Sequence, residues 1–180
     1  MPYYAERIWI PLTSDMQSIG KGKALKGKVL NNWPPFGLTP ESVTEIEPVK
    51  SCIEHWSKGV EWEKTQVFNK MKSSIETRGK TDGCKNMKDV YKRYQKLDAI
   101  FDQVKKEHRI KCQQEVQAFS FRESGGINFH IGPNGEPFFG RLGQHRLAMA
   151  LVLGIKQVPA ELGAIHVDAL PLLPDLRIPS

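Results

Sequence analysis

A chain of 180 residues, 39% hydrophobic and 26% charged, has the balance of one globular domain, or one domain carrying a large insertion, rather than of a disordered or membrane protein. No apolar run approaches the roughly 18–20 residues that span a bilayer, and no basic segment followed by an apolar stretch opens the chain, so a cytoplasmic protein without a signal peptide is expected. Three scattered cysteines (Cys52, Cys84 and Cys112), with no C-x-x-C pair and no paired histidines at metal-ligand spacing, argue against a disulfide framework and a zinc site.

The net charge of +6 is unevenly spread. Residues 85–111 hold nine Lys/Arg against four Asp/Glu, whereas residues 41–64 hold three Lys against six Glu. Such segregation steers an anionic partner onto one face, or is the solvated face of a lysine-rich helix.

In chain order, Ala5–Leu12 is a first strand, with Arg7 and Trp9 alternating against Ile8 and Ile10. The stretch containing Gly20, Lys21, Gly22, Lys23, Lys26, Gly27 and Lys28 lacks the G-K-[ST] ending of a Walker loop and reads as a flexible basic loop. Irregular chain follows over Trp33–Gly37. From Thr39 and Pro40, a good N-cap and first helical position, apolar residues Ile46, Val49, Ile53 and Trp56 recur at helical spacing until Gly59, with Pro48 a potential break. Val67, Phe68, Met71 and Ile75 mark a second helix ending near Gly79. Asn86 caps a third, whose stripe runs Met87, Val90, Tyr94, Leu97, Phe101 and Val104. Lys88, Lys92 and Lys96 form a basic ridge on another face of it.

Past Arg109 the period switches to two, weakly suggesting a strand over 115–120. Alternation is clean over Ile127–Ile131, and Asn134-Gly135 signals a hairpin into Glu136–Phe139. The most informative stretch comes next. Phe138-Phe139-Gly140-Arg141-Leu142-Gly143-Gln144-His145-Arg146 and the apolar residues after it read as strand, glycine turn and short helix. A Gly154 cap and a strand over Val158–Leu162 complete the unit. The proline-containing tail is expected to run over the surface.

A turn of this kind places free backbone N–H groups and the positive end of a helix dipole beside His145 and Arg146, and a phosphate is the natural occupant. Arg146 is the leading contact, with a salt bridge to Glu161 or Asp168 as its structural alternative. Arg141 is equally a surface residue or a phosphate contact, and His145 is an anion donor or a hydrogen-bonded structural histidine. Asn128 and His130 alternate off the apolar face of their strand and are candidates to line the same cleft, the bland alternative for His130 being a half-exposed sheet histidine.

The run of strand, Asn-Gly hairpin, strand, Gly-x-His-Arg turn, helix ending in Leu-Gly-Ile and a Val-Pro strand resembles the ParB/sulfiredoxin-like fold. The resemblance covers residues 127–162 and takes its first strand from Ile8–Leu12. It implies an α+β fold: a small mixed sheet with a short motif helix, plus a large mainly helical insertion after the first strand. The whole of 1–180 is then a single domain, with core segments 1–20 and 112–168, a helical insertion over 39–111 and a surface tail over 169–180. Gly143, His145 and Arg146 match the glycine and His-Arg pair of sulfiredoxins and free-serine kinases, and Gly143 and Arg146 match partition-type ParB proteins. Gln144 stands where sulfiredoxins carry cysteine, which argues against sulfinic acid reduction. Leu142 stands where the kinases carry aspartate, leaving Asp15 as the nearest carboxylate after the first strand.

The resemblance implies binding of ATP or another nucleotide, with Mg²⁺, at Arg141, Gly143, Gln144, His145 and Arg146. His145 and Asp15 are the catalytic candidates of a phosphotransferase or nucleotide hydrolase, and Glu6 is a second possible ligand or base. A nucleic-acid-binding module or nuclease is the rival, with the turn on backbone phosphates and Lys88, Lys92 and Lys96 supplying non-specific affinity. A third reading is a non-catalytic module that docks a protein partner through the helical insertion.

Overall fold

The structure is a computed structural model, and it describes residues 1–179. Its elements in chain order are β1 (Arg7–Pro11), β2 (Gln17–Ser18), α1 (Gly22–Leu25), β3 (Lys28–Leu30), β4 (Glu41–Ser42), α2 (Val49–Lys58), α3 (Gln66–Arg78), α4 (Met87–Glu107), α5 (Gln113–Val116), β5 (Ile127–Ile131), β6 (Pro137–Phe139), α6 (Gln144–Val152), β7 (Gln157–His166) and α7 (Leu173–Leu176). The protein is mixed α+β, built on a seven-stranded mixed sheet of order β1-β7-β5-β6-β2-β4, with β3 also paired to β7.

The sheet grows from the hairpin that the Asn134-Gly135 pair signals. β5 and β6 run antiparallel with Phe129 opposite Phe139 and Ile131 opposite Pro137, and Gly135 takes the positive φ of 83° that the turn requires. The chain then crosses through α6 and returns as β7, parallel to β5, while β1 closes on β7 antiparallel with Ile8 opposite Ala160. β5 is therefore central, and all five of its residues are buried. Strand alternation divides them: Ile127, Phe129 and Ile131 face the apolar core, and Asn128 and His130 face the other side. Leu147, Ala148, Met149 and Ala150 of α6 are buried in that core, and α2 packs on α6 from outside. Full burial of side chains such as Phe129, Phe139 and Leu147 stabilises the fold by about 1.5–3 kcal/mol each.

The opposite face corrects the reading of a flexible basic loop over residues 20–28. These residues form α1 and β3 and close over the sheet, because that face carries polar groups that need partners. The Gly20 carbonyl takes a hydrogen bond from His130 Nε2 at 2.8 Å, and the Ala164 N–H donates to His130 Nδ1 at 2.8 Å. Lys26 Nζ lies 2.7 Å from Glu161 Oε1, out of hydrogen-bond alignment, and among the described residues no other donor reaches the two buried carboxylate oxygens. A side chain at Gly163 would collide with the His130 ring, so the glycine is what admits the imidazole.

Three further expectations change. The first helix begins at Val49, not near Thr39: Pro48 becomes the residue before the helix, and Glu41–Glu45 form β4 and a single 3-10 turn. Residues Gln113–Val116 form α5 rather than a strand, because the Cys112 N–H donates to Glu115 Oε2 at 2.9 Å and closes a capping box. The tail is no plain surface run, since Ala169 and Leu173 are buried and Arg177 pairs with Glu6.

The second and third helices stand as α3 and α4. Gly79 ends α3 at φ 74°, and the Asn86 side chain accepts the Asp89 N–H at 3.0 Å to start α4. Asp98 of α4 holds the helical layer together. Its carboxylate accepts the indole N–H of Trp56 at 2.9 Å and of Trp62 at 3.0 Å, and lies 3.3 Å from His55 Nε2.

Candidate anion-binding cleft

The turn Gly140–Gly143 enters α6 through two residues with positive φ, Arg141 at 63° and Gly143 at 73°. Gly143 has no alternative, because a Cβ there would lie 2.7 Å from the Gly126 oxygen and from Ile127 Cα. Arg141 is a non-glycine residue in the left-handed region, a conformation that costs energy and persists where its surroundings impose it. Its side chain pairs with Glu41 and reaches Ser18 Oγ at 3.5 Å, so β2 and β4 hold it at the mouth of the turn.

Beyond the turn, α6 opens without a side-chain cap. Among the described residues, the N–H groups of Gln144, His145 and Arg146 have no acceptor; the first N–H bonded within the fold is that of Leu147, to Gly143 O at 3.0 Å. Unmet donors and the positive end of the helix dipole therefore coincide.

This helix start forms one wall of a cleft of about 470 Å³. Arg141, Leu142, Gly143, Gln144 and His145 line it from the turn and α6, and Pro48, Val67, Asp82, Arg93 and Tyr94 line it from the α2–α4 segment. Arg93 lies on α4. One terminal nitrogen donates to Asp82 O at 3.3 Å, while its Nε is buried with no acceptor. Asp82 is carried by a tight turn closed by paired Thr81–Cys84 hydrogen bonds. The α2–α4 segment thus roofs the turn, an arrangement that no spacing in the sequence specified.

Burial, with Arg93 alongside, pushes the His145 imidazole down to about 4, against the weaker opposing pull of Asp82. His145 is therefore neutral near pH 7 and supplies a hydrogen bond rather than charge. The positive charge of the cleft comes from Arg93, Arg141 and the helix terminus.

Several candidate residues lie elsewhere. Arg146 does not line the cleft. In the amide orientation that satisfies both groups, the Gln113 side-chain carbonyl accepts from its guanidinium, and the nearby Glu123 carboxylate takes the Gln113 N–H at 3.1 Å. Glu123, rather than Glu161 or Asp168, is the carboxylate that Arg146 senses. Asn128 and His130 are fully buried under Gly20–Leu25, so they neither line the cleft nor stand half-exposed. Asp15 is exposed, and Thr13 and Ser14 before it lie against Ala150, Leu151 and Gly154, at the far end of α6 from His145. Glu6 is tied to Arg177. Lys88, Lys92 and Lys96 are exposed on α4 and outside the cleft lining.

Arg93, Asp82 and Tyr94 are the cleft residues that sequence reasoning missed. The one available signal was an arginine among lysines, directly beside the apolar stripe position Tyr94. Among the described residues Asp82 is the only carboxylate lining the cleft, and no group of three or more His, Cys, Asp or Glu is arranged to hold a metal ion. No helix is long and apolar enough to cross a membrane. Comparison with protein-family models, with curated proteins and with solved structures finds no match.

Proposed function

We propose that this protein is a ParB/sulfiredoxin-like domain that binds a nucleotide, ATP first among candidates, with its phosphates at the start of α6. The observation that carries this reading is the coincidence of the unpartnered N–H groups of Gln144 and His145, at the positive end of α6, with Arg93 and Arg141 in one cleft. Such a set binds a multiply charged anion and offers it hydrogen bonds from several directions. The cleft falls within the roughly 300–1,000 Å³ range of ligand sites. Mg²⁺ would come with the nucleotide and be held by its phosphates, with Asp82 as the one protein carboxylate facing it; neither Asp15 nor Glu6 is placed to help. If phosphoryl transfer occurs here, Asp82 and neutral His145 are the cleft's proton acceptors, and Arg93 and Arg141 neutralise charge on the transferred group.

A thermal-shift series with ATP, ADP, CTP, GTP and pyrophosphate, with and without Mg²⁺, tests the reading on wild type, Arg93→Ala and Arg141→Ala. Ligand at about 100 times its Kd stabilises by roughly 2.7 kcal/mol, several degrees for a chain of this size. The expected result is a shift that shrinks in both variants, each measured against its own ligand-free Tm. No shift with any of these anions, or an undiminished shift in Arg93→Ala, overturns the proposal. The second reading puts nucleic-acid backbone phosphates at the same turn, and the exposed lysine ridge on the helix that carries Arg93 favours it. A gel shift with duplex DNA that weakens steeply with salt distinguishes it.

A further inference from the structure

A second concave surface, of about 360 Å³, is formed by the segment before β1, the loop before β5 and the C-terminal tail. Tyr3, Tyr4 and Phe121 line it together with Arg7, Arg122 and Arg177. Tyr3, Tyr4 and Phe121 are 68%, 59% and 82% exposed, whereas Trp56, Trp62, Tyr94 and Phe101 pack on one another in the helical layer. Two rings are already backed by cations: Arg177 Cζ lies 5.5 Å from the Tyr3 centroid, and Arg122 Cζ lies 5.7 Å from that of Tyr4. Backbone contacts pin these arginines, Arg122 to Tyr4 O at 2.9 Å and Arg177 to Met1 O at 3.4 Å, so the rings and guanidinium groups are held as a unit. Among the described residues Glu6 is the only carboxylate in the lining; it is buried and spent on Arg177 and the Tyr3 N–H, so the lining itself offers no free carboxylate to Arg7, which donates to Gln114 Oε1 at 3.4 Å, or to Arg122.

Open ring faces interleaved with arginines that meet no free carboxylate in the lining match one ligand chemistry, in which flat apolar faces alternate with negative charges at short intervals. We propose that this surface binds single-stranded nucleic acid. Bases stack on Tyr3, Tyr4 and Phe121, and the backbone phosphates pair with Arg7 and Arg122. An acidic peptide would pair with the arginines but leave three rings unmatched, and an apolar peptide would strand the arginines. The surface shares no residue with the α6 cleft, so the inference stands independently of the nucleotide reading.

The test is fluorescence anisotropy with labelled oligo-thymidylate and oligo-uridylate of about 12 nucleotides, the two arms separating DNA from RNA, within the span that single-strand sites cover. Tyr4→Ala/Phe121→Ala should weaken binding roughly 20-fold or more, and Phe121→Trp should retain it, since stacking is tolerant of ring type. With two to three phosphate contacts, raising salt from about 50 to 200 mM should lower affinity roughly 7- to 18-fold. No binding of either oligonucleotide at low salt overturns the proposal. So does binding that survives Tyr4→Ala/Phe121→Ala but is lost in Lys88→Ala/Lys92→Ala/Lys96→Ala. The nucleotide thermal shift, read on the same variants, should be unchanged, so failure of this surface and failure of the α6 cleft are told apart.

Discussion

Arg146 illustrates how a side chain at a helix start is captured by whichever partner tertiary packing brings first. A cation in the first turn of α6 sits against the helix dipole, which costs about 0.3–1 kcal/mol and demands an opposing partner. The buried Gln113–Glu123 pair meets that demand from α5 and the loop after it. Burial raises the Glu123 carboxyl above its ordinary range, while the Gln113 N–H, Arg7 and Arg146 pull it back. Arg146→Ala is therefore expected to lower stability by about 2 kcal/mol, some 4–8 °C in Tm, because it leaves Gln113 and Glu123 without their cation. It should leave a nucleotide-induced shift in place. Differential scanning calorimetry with and without ligand checks both halves.

For α1 and β3, the driving force is the polar face that β5 and β7 present. Asn128, His130 and Glu161 would be solvated in an open sheet, but here they are covered, and Lys26 is the cation that compensates Glu161. Breaking a buried pair by removing one partner costs about 3–5 kcal/mol, whereas replacing both with apolar groups is often nearly neutral. Lys26→Ala should thus destabilise by about 3 kcal/mol, and Lys26→Met/Glu161→Leu should recover most of the loss, as read by urea unfolding. Equal destabilisation in the two variants would show that Lys26 does not compensate Glu161. The lysine run was legible as basic but not as ordered, because its partner lies some 135 residues away in the sequence.

Across the molecule, two histidines are held neutral, His130 under α1 and His145 in the cleft, each pushed down to about 4 chiefly by burial. The unfolded chain binds a proton at each near pH 6.5, so between pH 6.5 and 4 the unfolded state holds more protons than the folded one. Their stabilising contribution is full above pH 6.5 and is lost as pH falls toward 4. Glu123, with its raised pKa, acts with the opposite sign as pH rises from its unfolded value. Comparing wild type with His145→Gln isolates one site. Between pH 5 and 6 the wild-type slope should exceed that of the variant by about 1.2 kcal/mol per pH unit, measured by urea unfolding in a pH series. Equal slopes would mean that His145 is solvated and charged in the folded state.

Local signals decided the parts of this protein whose causes are local. The Asn134-Gly135 hairpin, the glycine turn into α6, the Asn86 cap and the stripe of α4 each rest on backbone conformations and spacings within a few residues, so reading along the chain was enough to place them. The strand at 115–120 failed because a capping box outweighed weak alternation, and the start of α2 moved because proline removes a donor and crowds the preceding turn. The composition of the cleft had no local cause. Arg93 and Asp82 meet Gln144 and His145 only because α4 and the 81–84 turn pack over α6, while Arg146 leaves the cleft because Gln113 and Glu123 are closer. Which donors remain unpaired depends on every partner that folding brings within reach, and that is a property of the packed molecule, not of any one segment.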